Sequence, residues 1–253
     1  MSPVDAADLD VTTAGSGPDV VFVHGSIVGA DVTWRHQLPL ADRWTLHLVN
    51  RPGFGASPPL ERGDFEAEAP LVAALLGEGS HLVGHSYGAV IALYAAALRP
   101  EAVRSLTVSE PGALQLAAGV PAVDEALAGG AQLYAMRDRI EPRDFLRHFR
   151  SGVGSTHETP DELPEALQRG AAHVMSERPP WEGEVPLEAL ASASYPKLVL
   201  SGGHSDVFEA VCDVLAGRVG AERETIEGRG HSIPWTAAAY NGRLERFLLS
   251  ATA

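Results

Sequence analysis

Cysteine is nearly missing from this chain of 253 residues. The one thiol, Cys212, has no second cysteine to meet, which excludes an intramolecular disulfide framework and any metal site built from several thiolates. Its setting in "FEAVCDVLAG" reads as a small buried side chain on an apolar helix face. Lysine is as scarce, occurring only at Lys197, and Lys plus Arg total 19 against 33 Asp plus Glu, a net charge of -14. Nucleic-acid backbones are bound by neutralising phosphates, so this acidic balance argues against a nucleic-acid partner, and an anionic membrane surface is disfavoured in the same way.

Long apolar runs are also lacking. "AVIALYAAAL" falls far short of the roughly 20 residues that cross a bilayer, and the start "MSPVDAADLDV" has no basic region followed by an apolar stretch. The expectation is a cytoplasmic protein with no membrane partner. No internal repeat is visible. H-E-x-x-H, paired C-x-x-C and EF-hand spacings are absent, and "GFGASPP" lacks the helix and acidic partner of a dinucleotide loop, so neither metal nor cofactor is expected.

What is present is the composition of a globular protein, 45% hydrophobic and 21% charged, with short β-branched runs separated by Ala- and Leu-rich segments. "DVVFVHG", "WTLHLVNRPG", "HLVGHS", "VRSLTVSEPG" and "PKLVLSGG" read as strands buried on both faces, which implies an α/β fold with a mostly parallel sheet and helices on both faces. "DLDVTTAGSGPDV" reads as an antiparallel edge hairpin turned at Gly15 and Gly17. Helices are expected over Phe65–Leu76, Ser86–Leu98, Phe208–Ala216 and Thr236–Leu249. Between "VSEPGA" and "YPKLVLS" the strand pattern stops for a stretch of Gly- and Pro-broken helical segments. A structureless loop that long is uncommon, so Pro111 to Ala193 reads as an inserted helical cap, leaving 1–110 and 194–253 as the core.

The chemistry is carried by Gly84, His85, Ser86, Tyr87 and Gly88, a G-x-S-x-G placed between the strand "HLVG" and the helix "AVIALYAAAL". A serine on so sharp a turn leaves no room for a Cβ on the neighbouring glycine positions, and its hydroxyl stands exposed at the strand end. Such a hydroxyl needs a base, and "TIEGRGHSIPW" offers His231 in a Gly-rich turn between a strand and the last helix. His36, His47, His148, His157 and His173 lack comparable context and read as surface or packing residues.

With "VVFVHG" and "NRPGFGAS" added, the chain resembles the α/β-hydrolase superfamily over nearly its whole length. The resemblance implies that fold, with the cap inserted between strands 6 and 7, and a Ser-acid-His order of catalytic residues. It also implies an oxyanion hole from the main-chain N–H groups of Tyr87 and Ser26, with Gly25 letting the backbone turn close to the substrate and His24 acting as a structural hydrogen-bonding residue. Two positions compete for the acid. Asp206, after the strand that follows the cap, is slightly favoured, and Glu110, at the end of the strand before the cap, is the alternative.

The expected function is cleavage of an ester or related acyl bond in a small, largely apolar substrate through an acyl-enzyme. C–C bond or lactone hydrolysis by the same residues is the alternative, and a non-catalytic ligand-binding module is a rival of another class. Leu114, Leu116, Leu133, Tyr134, Met136, Phe145, Phe149, Met175 and Trp181 stand as candidates for the pocket or the cap core. The sequence leaves the substrate and the oligomeric state open.

Overall fold

The computed structural model describes residues 4–252. In chain order it contains β1 (Val11–Ala14), β2 (Asp19–Val23), α1 (Ala30–Thr33), β3 (Thr45–Val49), α2 (Phe65–Leu75), β4 (Ser80–His85), α3 (Tyr87–Leu98) and β5 (Val103–Ser109). Then come α4 (Pro121–Ala135), α5 (Pro142–Gly152), α6 (Glu165–Ser176) and α7 (Leu187–Ser192), followed by β6 (Lys197–Ser201), α8 (Asp206–Val219), β7 (Glu222–Thr225) and α9 (Ala238–Ser250). One sheet of seven strands runs in the order β1-β3-β2-β4-β5-β6-β7, parallel throughout except for β1.

Alternation along the strands builds two cores. Val21, Val23, Leu82, Val108 and Val199 point to the face covered by α2, α3 and α8. Val20, Phe22, Leu46, Leu48, Leu198 and Leu200 point to the other, where Trp34, Trp44 and the Tyr240, Leu244 and Phe247 stripe of α9 cover them. The buried thiol of Cys212 lies in the first core.

The amino-terminal segment differs from the expected hairpin. β1 does not turn back on β2; it pairs antiparallel with β3, Val11 opposite Val49, as the outer strand of the sheet. The turn at Gly15 and Gly17 is real, since a Cβ at either would meet main-chain oxygens of Ala41, Arg43 or Trp44 within 2.4 Å, but it carries the chain across β3 into β2. Only one strand therefore precedes β2, and the helical insertion lies between β5 and β6 rather than between the sixth and seventh strands.

β7 is the strand expected before the His231 turn, although its residues Glu222, Arg223, Glu224 and Thr225 are polar and largely exposed. It is an edge strand, held to α9 by ion pairs from Arg243 to Glu222 and Glu224. α8 begins at Asp206, two residues before the expected start, and runs on to Val219, where Gly220 in the left-handed region ends it.

Between β5 and β6 the described residues contain helices and no strand. Tyr134, Phe145 and Val174 pack together with Leu133, Phe149, Met175 and Trp181 as a small core of the insertion's own. A second cluster, Leu114, Ala117 and Val123 against Phe208 and Val211, joins it to α8. No helix among the described residues is long and apolar enough to cross a membrane.

Candidate active site

Glycine permits the turn that exposes Ser86. A Cβ on Gly84 would lie 2.6 Å from the Ala89 Cα, and one on Gly88 would lie 2.3 Å from the carbonyl oxygens of Val23 and His24. β4, α3 and β2 thus meet with no room for a side chain. Ser86 sits between them at φ 58° and ψ −120°, and its N–H donates to Ser109 O at 2.9 Å.

Three strand ends then converge. Ser86 Oγ donates to His231 Nε2 at 2.9 Å, and His231 Nδ1 donates to Glu110 Oε2 at 2.6 Å. Glu110 follows β5 directly and is fully buried; its other oxygen accepts from the Gly202 N–H at 2.7 Å and lies 3.3 Å from His204 Nδ1. Burial pushes the Glu110 carboxyl up, but His204 and His231 outweigh it and hold the pKa at about 2, so it is ionised at neutral pH.

The preference for Asp206 is overturned. It stands exposed in the first turn of α8, where an acidic side chain complements the helix end, while His231 rests on Glu110. Spacing along the chain could not separate the two, because both follow a strand of the same sheet, and only the path of the loop bearing His231 decides which one meets the ring.

Ser26 and Tyr87, the expected oxyanion donors, both adjoin Ser86. Ser26 lines the cavity beside Ser86, Tyr87 begins α3, and among the described residues no group accepts from the main-chain N–H of either. Gly25 adjoins Ser86 so closely that a Cβ there would lie 3.1 Å from Ser86 Cβ. His24 is buried, donates from Nδ1 to Gly25 O at 2.8 Å and accepts at Nε2 from the Arg51 N–H, which fixes the turn and fills both nitrogens. Burial, then Arg51, hold its pKa well below the ordinary value.

Several neighbours had escaped the sequence reading. Phe208 stacks on His231 with centroids 4.6 Å apart, and His85 Nε2 donates to the His231 carbonyl at 2.7 Å, fixing the loop. Burial, then His231, pull the pKa of His85 to about 3, so it stays neutral. Buried Arg51 donates to Gly25 O, to both oxygens of Glu68 and, at 2.7 Å, to Glu177 beyond α6. The arginine of "NRPGFGAS" was the available signal for that last group.

A cavity of about 370 Å³ opens on Ser86 and His231, lined by apolar groups of the core such as Ile27, Val28 and Val32, and by Phe149, Val153 and Leu167 of the insertion. Of the apolar candidates named from the sequence, only Phe149 lines it. Leu114, Leu133, Tyr134, Met136 and Trp181 line a separate cavity of about 400 Å³, while Phe145 and Met175 belong to the insertion's core and Leu116 packs at its junction with α8. His157, read as a surface or packing residue, lines the cavity at Ser86.

Glu110, His204 and His231 are also the one trio of metal-ligating side chains whose atoms gather within 4.8 Å among the described residues. His231 Nδ1 and Glu110 Oε2, 2.6 Å apart, are joined to each other by a short charge-assisted hydrogen bond.

Known proteins resemble this chain in sequence and in fold. Over 178 residues, 68% of this chain, it is 34% identical to a pimeloyl-[acyl-carrier protein] methyl ester esterase of Aeromonas hydrophila, and over 101 residues, 40% of the chain, 45% identical to the esterase of the same name from Chromobacterium violaceum. The matches span 66% and 40% of those relatives, less than two thirds of their own length. In fold the chain is similar to a thermophilic esterase from Thermogutta terrifontis, with a TM-score of 0.72 at 21% identity, covering 97% of this chain and 94% of that one. The alpha/beta hydrolase family profile matches residues 20–242, the stretch that carries the elbow, the buried acid and the histidine loop. The chain belongs to the alpha/beta hydrolase family.

Proposed function

We propose that the protein is a serine hydrolase that cleaves an ester of a small substrate through an acyl-enzyme. The observation that carries this reading is the unbroken chain Ser86 Oγ, His231, Glu110, with links of 2.9 and 2.6 Å. His231 takes the Ser86 proton as the hydroxyl attacks the carbonyl carbon, and ionised Glu110 holds the ring in the tautomer that leaves Nε2 free to accept and stabilises the imidazolium that forms. The N–H groups of Ser26 and Tyr87 receive the developing oxyanion; donors of this kind are worth about 3 kcal/mol each in comparable enzymes. His231 then protonates the departing alcohol, and water activated by the same ring releases the acid.

The methyl ester esterases among the relatives support an ester as the scissile group. In this reading residues 111–193 act as a cap over the strand ends: Phe149, Val153 and Leu167 give the cavity an apolar wall that excludes water.

Labelling with a fluorophosphonate, read by intact mass, tests the proposal. One adduct at Ser86 is expected, absent in Ser86→Ala, slowed by about a hundredfold or more in His231→Ala and substantially slowed in Glu110→Gln, with Asp206→Asn labelled at the wild-type rate. A folded protein that takes no adduct would overturn the reading, and slowing by Asp206→Asn with none by Glu110→Gln would overturn the assignment of the acid.

A further inference from the structure

The wall of the catalytic cavity carries charge that acyl transfer does not use. Besides His85 and His231, its ionisable lining groups are Arg150, His157 and Glu158. Arg150 lies half-buried in the last turn of α5, and burial lowers its pKa. One of its N–H groups donates to the main-chain carbonyl of Glu158 at 2.8 Å. Among the described residues it has no ion pair, although acidic side chains outnumber basic ones 33 to 19 in this chain. A cation drawn into a cavity without a counter-charge costs stability unless something else supplies the charge. The carbonyl end of α5 favours a positive group, but it leaves most of the five guanidinium donors unused.

His157 stands beside it. Its ring meets Trp235 edge-on with centroids 4.7 Å apart, and its Nε2 is buried with no hydrogen-bond partner among the described residues. Burial first, then Arg150, Arg229 and Arg35, lower its pKa, so the ring is neutral and offers one N–H donor. Arg35 lies over the other ring system of this wall, 4.0 Å from the Trp235 centroid. Arg150 and an imidazole with an unpartnered Nε2 therefore share one wall of the Ser86 cavity, with Arg35 stacked on the Trp235 ring that His157 meets. Glu158 gives Arg150 only its main-chain oxygen, and its exposed carboxylate makes no ion pair among the described residues.

We propose that Arg150 and His157 form an anion subsite in the Ser86 cavity, so that the substrate is the half-ester of a small dicarboxylic acid, its free carboxylate held on the guanidinium while its ester carbonyl lies at Ser86. This rests on the reading of Ser86 as the nucleophile of an ester hydrolase. A planar guanidinium matches a carboxylate in two parallel hydrogen bonds, and the apolar lining between the two ends, Val28, Val32, Phe149, Val153 and Leu167, suits a short methylene chain. The cavity of about 370 Å³ has the volume of a small-molecule pocket.

The test compares kcat/KM for monomethyl adipate with that for methyl hexanoate, a neutral ester of the same chain length, in the wild type and in Arg150→Gln, Arg150→Lys and His157→Gln, with circular dichroism to show that each variant is folded. The wild type is expected to favour the half-ester by about tenfold or more, the contribution of one charged hydrogen-bonded pair. That ratio should collapse in Arg150→Gln through KM, fall less in His157→Gln, and recover in part in Arg150→Lys. A wild-type ratio near one that Arg150→Gln leaves alone overturns the subsite while the ester reading stands. Failure of both esters together with no fluorophosphonate adduct at Ser86 overturns the hydrolase reading itself. If Ser86 is labelled but neither ester is turned over, protection from labelling decides the matter: adipate should slow the adduct in the wild type and not in Arg150→Gln, and equal protection in both would sink the subsite.

Discussion

Ser86 and Glu110 are two of the three non-glycine residues with positive φ among the described residues, at 58° and 42°, and they lie at the two ends of one hydrogen-bonded chain through His231. Conformations of this kind cost of order 1–3 kcal/mol each and persist where surrounding contacts over-determine them. The contacts are on hand: Ser86 N–H is tied to Ser109 O, Glu110 N–H to Leu200 O, and the Glu110 carboxylate to Gly202 and His231. The carboxylate also carries a stability that depends on pH. Its pKa falls from an ordinary 4.5 to about 2 on folding, so the unfolded chain binds more protons between those values. The contribution is full above about pH 4.5 and is lost as the pH falls toward 2. It amounts to about 3 kcal/mol, since each pKa unit is worth roughly 1.4 kcal/mol. In urea titrations the wild type should exceed Glu110→Gln by about that amount at pH 7, with the gap closing as the pH is lowered through 4 and 3; a gap independent of pH would show that the carboxylate's charge plays no part.

At the scale of elements, the approach of α3 to β2 is set by one missing Cβ. Gly88→Ala would drive a methyl into the carbonyl oxygens of Val23 and His24, both 2.3 Å from the new atom, and neither is the end of a flexible side chain. Such overpacking against backbone costs about 3 kcal/mol or more, and here it also shifts the turn that bears Ser86. Gly129, inside α4, is the opposite case: a Cβ there meets nothing within 4 Å, so Gly129→Ala should stabilise by about 0.5–1 kcal/mol through helix propensity. Its neighbour Gly130 faces Trp181 at 2.7 Å and gains nothing from the same change. Thermal denaturation of the three variants should rank Gly129→Ala above the wild type and Gly88→Ala far below it, and a neutral Gly88→Ala would refute the packing argument.

Across the whole molecule, the insertion is joined to the sheet by polar as well as apolar contacts. Arg51 bridges Glu68 of α2 and Glu177 after α6, with all three side chains almost wholly buried. Arg178 reaches Asp64, and the hydroxyls of Tyr87 and Tyr94 donate to the carbonyls of Arg178 and Glu184. Burial opposes the charge on Arg51, but Glu68 and Glu177 more than offset it and keep the guanidinium ionised. Arg51→Met would strand two buried carboxylates and should cost about 3–5 kcal/mol in urea unfolding. Because Arg51 also donates to Gly25 O beside Ser86, the same variant should slow fluorophosphonate labelling even under conditions where it remains folded. Wild-type stability in Arg51→Met would show that the cluster contributes nothing to the junction.

What the sequence determined by itself was whatever is encoded locally. The elbow around Ser86, the parallel strands and the loop carrying His231 were legible because glycine punctuation and apolar runs reflect constraints that act within a few residues. The pairing of β1 with β3 was not, since the partner of a strand at the sheet edge is chosen by the space left beside β3, which no local pattern encodes. The choice of Glu110 over Asp206, and the placing of Arg150 and His157 in one cavity with Ser86, were decided by the tertiary structure alone. Each joins side chains more than sixty residues apart, and such a contact depends on how the sheet, the insertion and the last loop close on one another.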